Sequence, residues 1–246
     1  MVETLEAAND AIEAASPALH RALSPLGRRA FFPQDIPFQA AQARGKRFNG
    51  TIGQITDGRG GAVPLPSLAA GLAGLPAEAR NRALLYSPVE GIPELRHRWR
   101  EWQRRDLQEA GGPVAGAGAV SSLPVVTVGL THALALTADL FGGDGRVLAV
   151  PGPFWGNYRQ VFALRTGVRV VSAPAFAGLR YDPGTLSGAL AGAGLAAGDP
   201  ALALVNFPAN PGGYSPTAGE RRELVESLAR VAEERPLVVL CDDAYA

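Results

Sequence analysis

The sequence predicts an α/β protein: a three-layer, mainly parallel sheet with helices on both faces, preceded by an N-terminal arm. Three observations carry the expectation. From about residue 120 onward, short β-branched runs alternate with stretches of helical period. Hydrophobic residues make up 47% of the chain and charged residues 19%, enough apolar surface to offset the entropy of ordering. The length, 246 residues, suits one large domain or two modest ones. The 30 Gly and 20 Pro show no three-residue period, which excludes a collagen-like chain.

Taken in order, residues 1–20 have Leu5, Ala8, Ile12, Ala15 and Leu19 at steps of three and four, the period of a helix. Residues 24–64 are rich in Gly, Pro and Gln without a sustained period and read as an extended arm. A short helix is predicted over Ser67–Leu75 and a longer one over Pro93–Glu109. In the second, Leu95, Trp99 and Trp102 share a face and Pro93 suits the first turn. Its Arg96, Arg98, Arg100, Arg104 and Arg105 could touch phosphate, but the neutral overall charge favours a solvated helix face. Gly111–Gly118 is a spacer. Strands are then predicted at Val125–Val128, Arg146–Val150, Val168–Ser172, Ala203–Asn206 and Leu237–Cys241. Helices are predicted at His132–Phe141, Asn157–Leu164, Pro183–Leu190 and Thr217–Glu234, the last opened by the capping box Thr217-Ala-Gly-Glu220. Such alternation calls for a parallel sheet covered on both faces.

Charge and rare residues narrow the chemistry. Acidic and basic residues both number 23, and nothing in that balance points to nucleic acid or an anionic membrane. Cys241 is the single cysteine, which excludes an internal disulfide and a cysteine-based zinc site. His20, His97 and His132 have no ligand spacing, so no metal is expected. The opening residues carry Glu3, Glu6, Asp10 and Glu13 rather than a basic-then-apolar secretory pattern, and no apolar run approaches ~20 residues. A cytoplasmic protein is expected. Lys46 is the only lysine; the other basic residues are Arg, whose guanidinium stays protonated and forms no Schiff base.

In a parallel α/β sheet, ligands bind beyond the carboxyl ends of the strands, so the residues following each strand are the candidates. Gly129-Leu130-Thr131-His132 opens a helix, whose unpaired N–H groups suit an anion; an ordinary capped turn would look the same. Pro151-Gly152-Pro153-Phe154-Trp155 offers aromatics able to stack on a flat ring, or to fill a core. Phe207-Pro208-Ala209-Asn210-Pro211-Gly212 is turn chemistry with an amide free to bind. Asp242-Asp243-Ala244-Tyr245 places carboxylates where a cationic ring nitrogen can meet them. There is no GxGxxG and no GxxxxGK[ST].

Together these segments resemble the class I/II pyridoxal-phosphate-dependent aminotransferases, of the aspartate aminotransferase-like fold type I. Three stretches carry the likeness further. Tyr86-Ser-Pro-Val-Glu-Gly91-Ile-Pro-Glu94-Leu95-Arg96 is similar to the family's Tyr…Gly…Glu-Leu-Arg segment. Asn210-Pro211-Gly212-Gly213 is similar to its Asn-Pro-Thr-Gly motif, with Gly212 in place of Thr. Asn49-Gly-Thr-Ile52-Gly53 resembles its N-terminal Ile-Gly element. The resemblance implies a helix and arm over residues 1–60, part of a small domain, and a large cofactor-binding domain over 61–246, truncated at its C-terminal end.

It also implies pyridoxal 5'-phosphate as cofactor and a role for each residue. Leu130, Thr131 and His132 would hold the phosphate, chiefly through backbone N–H groups. Trp155 would stack on the pyridine ring, and Asn210 and Tyr245 would donate to its phenolic oxygen. Asp242 would face the ring nitrogen, with Asp243 the adjacent rival and the spacing to Tyr245 favouring Asp242. Tyr86 would reach the phosphate in a partner subunit, which implies a homodimer, and Gly53 would lie near the substrate carboxylate. The family's Schiff-base lysine falls beyond the Asp-x-x-Tyr segment, and Lys46 does not match it. The expectation is therefore an incomplete chain without its catalytic lysine, inactive alone. The implied reaction moves an amino group between an amino acid and a 2-oxo acid. A lyase or decarboxylase of the same fold, and a non-catalytic remnant that binds or dimerises, are the alternatives.

Overall fold

The computed structural model describes residues 4–31, 36–51, 53, 55–109 and 122–246. Ile52 and the Gly111–Gly118 spacer lie outside them. The chain forms two compact units: Met1–Asp35 together with Gly129–Ala246, and Ile36–Val128.

The first unit begins with α1 (Leu5–Ala15), α2 (Pro17–Ala22) and α3 (Pro25–Arg29). The single helix expected over residues 1–20 breaks at Ser16, because Pro17 forces its predecessor out of helical geometry. Ser16 is extended, and its hydroxyl accepts the Leu19 N–H at 3.3 Å to cap α2. The α3 turn also interrupts the expected arm.

The second unit holds α4 (Ile36–Gln42), α5 (Pro66–Ala73), α6 (Ala77–Ala83) and α7 (Pro93–Glu109). Helix α7 has the predicted bounds, and Trp99 and Trp102 pack at 5.0 Å on its surface. Among its described residues this unit contains no strand, only an isolated bridge between Thr56 and Ala62. The strand expected at Val125–Val128 is not formed. Its β-branched residues suit an extended backbone, but among the described residues no strand pairs with them. Instead, the Val126 N–H donates to the Glu90 carbonyl at 3.0 Å, and the Arg96 guanidinium donates to the Pro124 carbonyl at 2.6 Å. Gly91 makes this approach possible: its φ is +103°, and a Cβ there would lie 2.3 Å from Val126 Cγ2.

The remainder of the first unit is the predicted alternation. In chain order it runs α8 (Gly129–Phe141), β1 (Val147–Gly152), a π-helix (Arg159–Leu164), β2 (Arg169–Pro174), the two-residue strands β3 (Phe176–Ala177) and β4 (Arg180–Tyr181), α9 (Thr185–Ala191), β5 (Ala201–Asn206), α10 (Ala218–Glu234) and β6 (Leu237–Asp242). The strands β2-β1-β5-β6 form one parallel sheet in that order, and β3 and β4 a small antiparallel hairpin.

Alternation along the central strands sends side chains into two cores. Leu148, Val150, Leu202 and Leu204 pack with Leu134 and Ala138 of α8 and with Tyr158, Val161 and Phe162 around the π-helix. Val147, Ala149, Ala201, Ala203 and Val205 pack with Leu186 and Leu190 of α9 and Leu224 and Leu228 of α10. The sheet is thus covered on both faces, as expected. The capping box forms: the Thr217 hydroxyl accepts the Glu220 N–H at 3.3 Å and Glu220 accepts the Thr217 N–H at 2.7 Å.

Candidate functional site

The carboxyl ends of β1, β5 and β6 meet the first turn of α8 around one cavity. Leu130, Trp155, Tyr158, Asn206, Asn210, Asp242, Ala244 and Tyr245 line it. Leu130, Trp155, Asn210, Asp242 and Tyr245 are residues picked out in the sequence, drawn from four separate segments.

Each is placed by its element. Leu130 sits in the first turn of α8. Gly129 enters that turn at φ +74°, a conformation that favours glycine. The next residue, Thr131, accepts a long hydrogen bond from Asn157 Nδ2 at 3.4 Å, and His132 follows it in the same turn. Trp155 lies between β1 and the π-helix, half-buried, its ring edge-on to Tyr158 at 5.6 Å and 85°.

Asp242 ends β6 and is 4% exposed, whereas its neighbour Asp243 is exposed. Strand alternation therefore turns Asp242 inward and Asp243 to solvent. The Asp242 carboxylate is held on both oxygens. The Tyr158 hydroxyl donates a short hydrogen bond to Oδ2, and the Ala244 N–H donates to Oδ1 at 3.2 Å. Burial, reinforced by this carboxylate, holds the Tyr158 phenol far above its usual range, so it remains a neutral donor. Asn210 donates from Nδ2 to the Tyr245 hydroxyl at 3.3 Å, bringing two polar tips to one point of the cavity.

Tyr158 and Asn206 were not singled out in the sequence. Tyr158 stands three residues past Trp155 at the start of a predicted helix, and its tie to Asp242 spans 84 positions. Asn206 closes a predicted strand, where an Asn reads as a strand terminator. Tyr86 and Gly53 belong to the other compact unit, where both are exposed. Lys46 is exposed in that unit as well. Among the described residues there is no cluster of metal-binding side chains and no helix long and apolar enough to cross a membrane.

An inward carboxylate, an aromatic wall, two polar tips and a helix N-terminus suit a flat, cationic, phosphorylated ring. Comparison with known proteins gives the family. Residues 51–246 match the family described as aminotransferase class I and II. The chain is 30% identical over 174 residues to an aspartate/prephenate aminotransferase of Thermus thermophilus, covering 68% of this chain and 40% of that protein. It is 26% identical over 161 residues to an aspartate aminotransferase of a Bacillus species, covering 65% and 36%. In structure it resembles an aminotransferase from Anaerococcus prevotii (TM-score 0.72, 21% identity, 90% of this chain and 54% of that one). It also resembles the cytoplasmic aspartate aminotransferase of Saccharomyces cerevisiae (TM-score 0.62, 21% identity, 92% and 52%). The chain spans about two fifths of the curated relatives and about half of the solved ones. The match to the family model over residues 51–246 shows that the chain belongs to the class I and II aminotransferases.

Proposed function

We propose that this chain forms the cofactor-binding part of an aminotransferase that moves an amino group between an amino acid and a 2-oxo acid. The observation that carries the reading is the meeting of Trp155, Asn210, Asp242 and Tyr245 in one cavity beside the α8 N-terminus. Class I and II aminotransferases use pyridoxal 5'-phosphate, and the donor set fits that group. Bound pyridoxal phosphate acts as an electron sink for the amino-acid α-carbon. The protein's own part is to orient and to hold protons. Asp242 keeps a proton on the ring nitrogen, and Tyr158 keeps Asp242 aimed. Asn210 and Tyr245 donate to the phenolic oxygen, and Trp155 covers one ring face. Backbone N–H groups of Leu130, Thr131 and His132 receive the phosphate.

By the same reading Tyr86 serves the phosphate of a partner subunit in a homodimer, Gly53 lies near the substrate carboxylate, and the protein is cytoplasmic. None of the described residues lining the cavity is a lysine, and the role proposed for them is binding and orientation.

Calorimetric titration of the chain with pyridoxal phosphate tests the site. Saturable binding is expected, weakened about tenfold or more in Asp242→Ala, since a charge-assisted contact is lost. Equal binding by both proteins would overturn the placement. Borohydride reduction followed by mass spectrometry should show no lysine adduct on this chain. An adduct at Lys46 accompanied by turnover would assign the amine differently. Release of 2-oxo acid that requires a 2-oxo acid acceptor separates transamination from a lyase or decarboxylase.

A further inference from the structure

Two of the proposed contacts to the pyridine ring sit on different loops, Asn210 after β5 and Asp242 at the end of β6. Their separation is decided by whatever ties those loops together. The parallel ladder pairs Asn206 with Asp242 at its last rung. Beyond that rung the backbone offers no further pairing, and one side chain takes over. The Asn206 amide Nδ2 donates to the Asp242 carbonyl at 2.9 Å, while its Oδ1 accepts the Asn210 N–H at 2.7 Å. Asn206 is 9% exposed, so water does not substitute readily for either bond. Only a side chain with both a donor and an acceptor at this reach can make both bonds. Aspartate lacks the donor, leucine lacks both, and glutamine is one methylene longer.

The division of labour is specific. Asn206 uses the main chain of Asp242, which leaves the carboxylate oxygens to Tyr158 and Ala244. It uses the main chain of Asn210, which leaves the Asn210 amide directed at Tyr245. It therefore fixes where the two residues stand without consuming the groups that would touch the ring.

We propose that Asn206 is a positioning residue that sets the distance between the Asn210 amide and the Asp242 carboxylate, and so matches the cavity to the two polar edges of one pyridine ring. This rests on reading the cavity as the pyridoxal-phosphate site.

The test uses the full 246-residue chain and three variants: Asn206→Leu, Asn206→Asp and Ser227→Ala. The last removes a part-buried hydroxyl pair with Ser187 at 2.7 Å, between α9 and α10 and outside the cavity lining, and controls for general loss of stability. The first readout needs no cofactor: hydrogen exchange of the Asn210 amide. Exchange should quicken about tenfold in Asn206→Leu and stay unchanged in Asn206→Asp, which keeps the acceptor, and in Ser227→Ala. The second readout is the ratio of affinities for pyridoxal phosphate and for its analogue lacking the 3-hydroxyl. That ratio should fall toward one in Asn206→Leu, where Asn210 is released from its position. In Asn206→Asp both affinities should fall together, because only the tie to Asp242 is cut. Melting followed by circular dichroism establishes that each variant is folded; should Asn206→Leu not fold, Asn206→Asp against Ser227→Ala carries the affinity test.

Unchanged Asn210 exchange in Asn206→Leu, or an unchanged affinity ratio in a chain that binds pyridoxal phosphate, would overturn the positioning role. Failure of the unsubstituted chain to bind pyridoxal phosphate, with Asn210 exchange responding as expected, would overturn the reading of the cavity instead and confine Asn206 to tying the two loops.

Discussion

The residues from Leu134 to Asp242 and those from Ile36 to Val128 solve the burial problem differently. Every buried side chain among the described residues lies in the first stretch. Tyr158, Phe162, Leu148, Leu202 and Leu204 are all no more than 1% exposed there. The second stretch buries none, and Leu65, Leu68, Leu72, Leu84, Leu85 and Tyr86 are between 56% and 93% exposed. Both stretches are rich in apolar residues, yet among the described residues only the first has a sheet covered by helices on both faces. Among the described residues the second stretch has three short helices and one long one, with no strand between them and no buried side chain. Asp242 of the first unit is thus buried at the end of a packed strand, whereas Tyr86 and Gly53 are exposed in a unit that buries no described side chain.

The sharpest way to break this comparison is to truncate one side chain in each unit. Phe162→Ala should cost about 3–5 kcal/mol in urea unfolding, because it opens a cavity beneath the sheet. Leu72→Ala, 62% exposed, should change stability by no more than about 0.5 kcal/mol. Native-state hydrogen exchange should agree, with β1 and β5 amides opening only with the whole unit and α5 and α6 amides opening at almost no cost. Similar losses from the two substitutions would show that the second unit has an interior after all.

A smaller effect tests how far local chemistry adds to that packing. Thr217→Ala removes the hydroxyl that accepts the Glu220 N–H at the start of α10. About 1 kcal/mol of stability should be lost, the ordinary worth of an N-cap, measured by the shift in urea midpoint at constant slope. A shift of several kcal/mol would mean that α10 is docked through its first turn rather than through Leu224 and Leu228.

The legible parts of the molecule follow the same division. Where a periodic run was bounded by turn chemistry and then buried, sequence and structure agree: β1, β2, β5, β6, α8 and α10 lie within a few residues of expectation. Val125–Val128 has the composition of a strand, but pairing is a property of two segments, and its neighbour is a turn. Asn157–Leu164 was expected as an ordinary helix and is a π-helix from Arg159, a difference of one hydrogen-bond step that residue spacing does not encode. In the cavity, the residues that would contact a ring belong to short motifs and could be read locally. Tyr158 and Asn206 act through partners 84 and 36 positions away, and no local pattern announces such bonds.

The smallest effect concerns a polar group that the packed unit tolerates at its edge. Tyr181 is 5% exposed, in a nest of Phe176, Phe207 and Tyr214 rings, with Tyr214 stacked on it at 5.4 Å and 27°. Its hydroxyl has no hydrogen-bonding partner among the described residues. An unpaired buried hydroxyl opposes folding, so Tyr181→Phe should leave stability near neutral pH unchanged or raise it by up to about 1 kcal/mol. Burial also pushes the Tyr181 phenol up to about 12, and the nearby acidic groups Tyr214, Asp182 and Glu220 add to the shift. The unfolded chain releases that proton near pH 10 while the folded chain retains it, so stability present below pH 10 declines from there toward 12. Tyr181→Phe should lessen the decline without abolishing it, because Tyr158 is shifted in the same direction and remains. Urea midpoints of both proteins at about pH 8 and about pH 11 check this: the substituted protein should equal or exceed the original at the lower pH and exceed it by a wider margin at the higher. A loss of more than about 1 kcal/mol at pH 8 would mean that the hydroxyl contributes a bond of its own. The packed unit would then depend on a polar contact, and not on apolar burial alone, where it borders the β3–β4 hairpin.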